Sequence, residues 1–205
     1  MKIKTLVLGQ LATNCYLVYD EKKQETIIID PADEGTFIIQ TILDLKLKPK
    51  LIIATHAHFD HILAVTELKL ALNIPFLMHK NDLPLLKRLG RSTKFFTGLE
   101  ADPIPKVDKF IKEDDEISFG KEKLSVIETP GHTPGGISLF SSGVLFSGDT
   151  LFKNGVGRTD FSYASREQII SSIKAKLFHL PDKTQVYPGH GEETTILAEK
   201  QSLKI

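Results

Sequence analysis

A chain of 205 residues, 41% hydrophobic and 25% charged, has the make-up of a globular protein and the length to bury a core. Its 26 basic and 26 acidic side chains cancel, so no net charge draws it to nucleic acid or to an anionic membrane, and neither is expected as a partner. The one cysteine, Cys15, excludes an internal disulfide, no segment approaches the ~20 apolar residues of a membrane span, and the N-terminus lacks the apolar run of a secretory signal, which makes the cytoplasm the expected location.

Apolar patterning predicts strands near 2–8, 13–19 and 25–30. Cys15 falls in the second of these and reads as a small buried hydrophobe. A helix is predicted near 34–47, with Phe37, Ile38, Ile42 and Leu45 on one side, followed by a strand at 50–54. From Ile62 the steps through Val65, Leu68 and Leu72 are helical, and Asn73-Ile74-Pro75 ends that helix. A strand from Pro75 to Met78 and a helix near 81–89 come next. Residues 91–112 lack periodicity and read as a long loop, in which Phe95 and Phe96 are expected to shape a substrate entrance. Strands are predicted at 116–119, 122–128, 136–140 and 144–148, with Ser141-Ser142-Gly143 as a three-residue hairpin loop. Ser165 and Gln168 form a capping box ahead of Ile169, Ile170, Ile173 and Leu177. A strand from Thr184 to Tyr187 and a terminal helix from about Glu192 complete the order. Strands, helices, strands and helices in that sequence suggest two sheets packed face to face with helices outside.

Between the strand at 50–54 and the helix after it lies Thr55-His56-Ala57-His58-Phe59-Asp60-His61. Three histidines and an aspartate in so short a stretch are a metal-ligand set, suited to zinc, iron or manganese. His56 and His58 leave the strand in extended chain, where residues two apart point the same way. Asp60 and His61 fall at a helix start and aim differently, which favours two adjacent metal positions. Three later blocks place a further ligand type after a strand, beside glycine or proline. They are His132 in Thr129-Pro130-Gly131-His132, Asp149 in Ser147-Gly148-Asp149-Thr150, and His190 in Tyr187-Pro188-Gly189-His190. Asp30 before Pro31 either orients a ligand histidine or caps a turn. His79 reads as structural or exposed, and His179 as a helix C-terminal residue that favours the dipole.

In pattern and order these blocks resemble the metallo-β-lactamase-fold superfamily over nearly the whole chain. Gly148-Asp149-Thr150-Leu151-Phe152 and Gly155-Val156-Gly157-Arg158 are similar to its glyoxalase II group. The resemblance implies an α+β fold, a four-layer αββα sandwich with the metal site at the sheet edges. It also implies two divalent cations, zinc first and iron or manganese as alternatives. His56, His58 and His132 would hold one cation, Asp60, His61 and His190 the other, and Asp149 both, with Asp60 and Asp149 as the carboxylates of the catalytic centre. The implied activity is hydrolysis of thioesters of the hydroxyacylglutathione type by a metal-bound hydroxide. Arg158 matches the basic residue that meets a glutathione carboxylate, and Tyr163 is a candidate pocket residue. The chain departs from that group at Gly136, Asp160 and Glu192, and residues 1–205 read as a single domain without the helical C-terminal substrate domain. It resembles the short glyoxalase-II-like hydrolases in this. Alternatives within the superfamily are a persulfide dioxygenase with one iron, which Gly157-Arg158-Thr159-Asp160-Phe161 resembles as well, and a lactonase or other ester hydrolase. A small-molecule substrate and a monomer or small homo-oligomer are expected.

Overall fold

In the computed structural model, which describes residues 1–205, the run Ile27-Ile28-Ile29 reveals the layering. Successive side chains on a strand point to opposite faces. Ile27 and Ile29 pack with Tyr16, Val18, Phe119, Val126 and Leu139. Ile28 turns the other way, onto Leu17, Ile38, Ile42 and Leu68. All three are fully buried, so this strand is covered on both faces.

The first sheet runs β1 (Lys2–Leu8), β2 (Thr13–Tyr19), β3 (Glu25–Ile29), β4 (Lys48–Ile53), β5 (Phe76–His79) and β6 (Lys109–Ile111), in that spatial order. β1 to β3 are an antiparallel meander, and β3 to β6 are parallel. Helices α1 (Gly35–Asp44), α2 (Phe59–Ile62), α3 (Val65–Leu72), α4 (Leu83–Leu86) and α5 (Leu89–Thr97) connect the parallel strands. The second sheet contains β7 (Glu116–Phe119), β8 (Glu122–Glu128), β9 (Ile137–Ser141) and β10 (Val144–Gly148), and a small hairpin of β11 (Leu151–Phe152) and β12 (Gly155–Val156) follows. Helix α6 (Arg166–Ala175) then leads to β13 (Gln185–Pro188), β14 (Thr194–Thr195) and α7 (Ile196–Ser202). The second sheet's order is β14-β13-β10-β9-β8-β7. A third apolar cluster, including Leu145, Val186, Ile169, Ile173 and Ile196, seats α6 and α7 on it. The layers are therefore helix, sheet, sheet, helix: an α+β sandwich whose middle is the sheet-to-sheet cluster.

Four expected elements take a different form. Residues 91–112 are not one loop. They hold most of α5 and all of β6, with irregular chain at 98–108 and again at 112. Buried Leu89 and Thr93 face the body, and a threonine where an apolar residue would mark the stripe hides the helical period. The helix expected near 81–89 is a 3₁₀ turn, Lys80–Asp82, then α4 and a break before α5. The hairpin after β9 has a two-residue loop, because Ser141 still pairs with Val144 and only Ser142 and Gly143 turn. The terminal helix starts at Ile196 rather than near Glu192. Thr195 caps it, accepting from Ala198 N–H, after β14 has formed.

Candidate metal centre and cavity

The four segments that carry the expected ligands leave the C-terminal ends of β4, β8, β10 and β13. Beyond β4, Asp30 accepts from Thr55 N–H and Thr55 Oγ1, both at 2.7 Å, and so fixes the start of the histidine loop. His58 is still extended, at φ −71° and ψ 147°, and His56 Nε2 lies 3.1 Å from His58 Nδ1. The two imidazoles converge as the extended spacing requires. Asp60 and His61 sit in α2, and His61 is fully buried. At the end of β13, Pro188 O accepts from Asn14 Nδ2 at 2.9 Å and Tyr16 Oη at 2.6 Å, which anchors the turn carrying His190. A Cβ on Gly189 would overlap Asp149 Oδ1, so only glycine lets that turn approach so closely.

Two donor clusters result. His56, His58 and His132 offer nitrogens within 4.8 Å of one another, and so do the donors of Asp60, His61 and His190. His132 Nε2 is 2.9 Å from His58 Nδ1, and His61 Nε2 is 3.3 Å from His190 Nε2. Asp149 lies between the clusters. Its Oδ1 is 3.4 Å from His61 Nε2, and its Oδ2 is 3.5 Å from His132 Nε2 and 3.7 Å from His190 Nε2. Two ligand atoms on one tetrahedral zinc stand about 3.3 Å apart, so this spacing fits a cation. Asp149 Oδ1 is also buried with no hydrogen-bond partner, which the chain alone leaves unexplained. These histidine and aspartate groups are able to bind metal.

The second nitrogen of each ring is held as well. His56 Nδ1 meets Thr55 Oγ1 at 3.1 Å, and His58 Nε2 meets Tyr163 Oη at 2.8 Å. His61 Nδ1 meets Asp30 Oδ2 at 3.0 Å. His132 Nδ1 meets the Arg158 carbonyl at 2.8 Å, and His190 Nδ1 the Leu11 carbonyl at 3.1 Å. Such partners set the tautomer and orientation that a metal ligand needs. Asp30 therefore orients a histidine, the first of its two readings. Thr13 Oγ1 donates to Asp60 Oδ2 at 3.2 Å.

Electrostatics separates the clusters. Burial and the neighbouring imidazoles push His56 well below its ordinary pKa, and burial with His132 brings His58 down to about 3. Both stay neutral, the form a cation takes. Burial also disfavours charge on His61, but Asp60, Asp149 and Asp30 outweigh it and raise that pKa to about 10. His190 is raised against burial by its bond to Asp60 and by Asp149. Asp60 is lowered although burial opposes it, because His61 and His190 face it.

Above the donors opens a cavity of about 450 Å³, which His58, Asp60, His132, Asp149 and His190 line. Helices α4 and α5 and the two-residue link between them contribute Leu85, Arg88, Leu89, Ser92 and Phe96, and the chain after β10 contributes Phe152, Val156, Arg158, Phe161 and Tyr163. Phe96 stacks on Phe59, with ring centroids 5.5 Å apart. Phe95 is not in the lining. It is 80% exposed, because Leu89 and Thr93 form the buried side of α5 and Phe95 lies off it. Arg158 lines the cavity but is committed to Asp160, through Nε at 3.0 Å and Nη2 at 2.7 Å. Glu192 pairs with Lys153 outside the cavity. His79 meets Glu128 at 3.1 Å, and His179 ends a 3₁₀ turn away from the site. Asp82, Arg88 and Ser92 were not among the expected site residues. The only sequence signal for Arg88 was the Lys87-Arg88 pair in a helical stretch, and Asp82 had none.

A family model for the metallo-beta-lactamase superfamily matches residues 8–190. The chain is similar to the probable metallo-hydrolase YqgX of Bacillus subtilis, 36% identical over 203 residues, which are 98% of this chain and 95% of that protein. It is 34% identical over 211 residues to the hydroxyacylglutathione hydrolase GloC of Haemophilus influenzae, covering 98% of this chain and 96% of that one. Among solved structures, the BLEG-1 B3 metallo-beta-lactamase superposes with a TM-score of 0.91 at 33% identity, covering 98% of this chain and 97% of that one. TTHA1623 in a di-iron-bound form gives a TM-score of 0.89 at 34% identity, covering 98% of each chain.

Proposed function

This chain belongs to the metallo-beta-lactamase superfamily, and we propose that it is a metal-dependent hydrolase of thioesters of the hydroxyacylglutathione type, working with two divalent cations. The observation that carries the reading is Asp149, whose carboxyl group faces both donor clusters with one buried oxygen unpartnered. His56, His58 and His132 would hold one cation, Asp60, His61 and His190 the second, and Asp149 would serve both. Imidazole and carboxylate donors without thiolate suit zinc first, and iron or manganese as well. Bound there, the cations supply Lewis acidity and bring the pKa of water down to about 7. The chain's own part is to hold these groups. Asp30, Tyr163 and the carbonyls of Leu11 and Arg158 fix histidine rings, and the apolar part of the cavity wall offers the substrate a surface beside them. The sole thiol, Cys15, is fully buried with its pKa pushed up by that burial, so it is no nucleophile. Thioester chemistry is supported by the likeness to GloC, and a paired site by the likeness to a di-iron protein.

A second reading is a persulfide dioxygenase with a single iron. It draws on the fact that His56, His58 and His132 form a three-nitrogen cluster by themselves, with Asp149 3.5 Å from His132. Purified protein, analysed for metals and assayed on a thioester panel beside an oxygen electrode, separates the two. Two metals per chain and thioester cleavage without oxygen uptake are expected. One iron per chain with oxygen uptake on glutathione persulfide would replace the first reading by the second, and inactivity in both assays would remove both.

A further inference from the structure

The neutral overall charge hides a local imbalance. Residues 80–97, which include α4 and α5, carry five basic side chains, Lys80, Lys87, Arg88, Arg91 and Lys94, against one acid, Asp82. All five are exposed, whereas Asp82 is buried and spends its carboxylate on Ala57 N–H, Thr133 Oγ1 and Gly135 N–H. Only Lys94 makes an ion pair, with Glu100 at 2.5 Å. This cationic segment forms part of the cavity wall.

Two guanidinium groups line that cavity, Arg88 and Arg158. Arg158 is neutralised by its two-pronged pair with Asp160 and lies over the Phe161 ring, 4.8 Å from its centroid. Arg88 has no acidic partner and no side-chain hydrogen bond, so its fork of donors is open. Tyr163 lines the same cavity and touches His58 through its hydroxyl, at 2.8 Å.

We propose that Arg88 is a specificity-determining residue, an anchor for a carboxylate of the substrate, and that the preferred substrates are carboxylate-bearing thioesters. A guanidinium matches a carboxylate through two parallel hydrogen bonds. Lys87 and Arg91, exposed and without ion pairs on the same segment, add positive charge to it, and such a field raises the local concentration of anions. The apolar lining takes the rest of the molecule, and the charge sits away from the reacting bond. The inference rests on the thioesterase reading for its substrate, but the anion subsite can be tested without turnover.

The test uses three substrates: lactoylglutathione, with carboxylates on the thiol half; a succinyl thioester of N-acetylcysteamine, with one on the acyl half; and the acetyl thioester of N-acetylcysteamine, with none. Wild type should favour one of the first two over the third. In Arg88→Ala that preference, as a ratio of kcat/KM values, should fall at least tenfold, through KM rather than kcat, and Arg88→Lys should restore part of it. The favoured arm tells which half carries the carboxylate. A ratio unchanged by Arg88→Ala, or a wild type indifferent to charge, overturns the proposal. If wild type cleaves none of the three, the thioesterase reading fails, and calorimetric titration with the uncleavable thioether S-methylglutathione decides on Arg88. Binding at least fivefold weaker in Arg88→Ala supports the anchor. Equal binding, or none to wild type, overturns it.

Discussion

Asp82 stands in Lys80-Asn81-Asp82-Leu83-Pro84, where an acid before a leucine and a proline reads as a helix start and nothing more. In the fold its Oδ2 accepts from Ala57 N–H at 3.0 Å and Thr133 Oγ1 at 2.8 Å, and its Oδ1 accepts from Gly135 N–H at 2.6 Å. Ala57 lies between two of the proposed ligand histidines, and Thr133 directly follows a third. One buried carboxylate thus braces both loops of the first donor cluster, although burial raises its pKa against these bonds. Asp82→Asn keeps the shape but turns an amide toward donors. It should weaken binding of the cation at His56, His58 and His132 by about 10–100-fold, the usual scale for partners that orient ligands. Competition with a chromophoric chelator measures this, and unchanged affinity with an unchanged melting temperature would remove the brace. The seven proposed ligands were legible in the sequence because their residue types and spacing are local chemistry. Asp82 was not, because its partners lie 25 to 53 residues away and only the fold brings them together.

Helix α5 gives the clearest case at the scale of elements. Thr93 and Thr97 turn their hydroxyls onto the carbonyls of Leu89 and Thr93, so polar side chains occupy part of the buried side and the sequence reads as loop. Once the helix is in place, its two phenylalanines meet edge to face at 5.0 Å but differ in surroundings, Phe96 stacking on Phe59 and lining the cavity, Phe95 80% exposed outside it. Phe96→Ala should raise the KM of a true substrate by about fivefold or more, as expected for loss of an apolar contact worth about 1–3 kcal/mol. Phe95→Ala should leave KM within twofold. Equal effects of the two changes would contradict the placement. At the far end of β2, Asp20 ties the two sheets together. Its carboxylate accepts from Lys22, Lys23 and Lys121 N–H groups, and these bonds, that from Lys23 foremost, hold its pKa below the ordinary value. A carboxylate with a lowered folded-state pKa contributes stability above its unfolded pKa, about 3.9, and loses that contribution as pH falls through the folded value. Melting temperature should therefore fall less steeply below about pH 4 in Asp20→Asn than in wild type. Parallel acid limbs would show that these bonds do not favour the charged form.

Across the whole molecule, the layers follow from period-two burial in strands such as Ile27–Ile29, whose odd and even residues enter different apolar clusters. That pattern is local, which is why the two sheets and most strand limits could be read directly. The pairing order of the strands and the breaks within α2–α3 and α4–α5 depend on packing between distant segments. The same packing brings the ends of β4, β8, β10 and β13 to one site, so the proposed ligands, from residue 56 to residue 190, meet within a few ångströms. Charge follows a similar rule. The total of zero concealed a basic segment that the fold sets beside the cavity. Metal-free protein titrated with zinc, with lactoylglutathione cleavage followed at each step, tests the central claim most directly. Activity should rise to a plateau at two equivalents per chain and be abolished by a chelator. Full activity at one equivalent, or no cleavage at any ratio of zinc, iron or manganese, would contradict it.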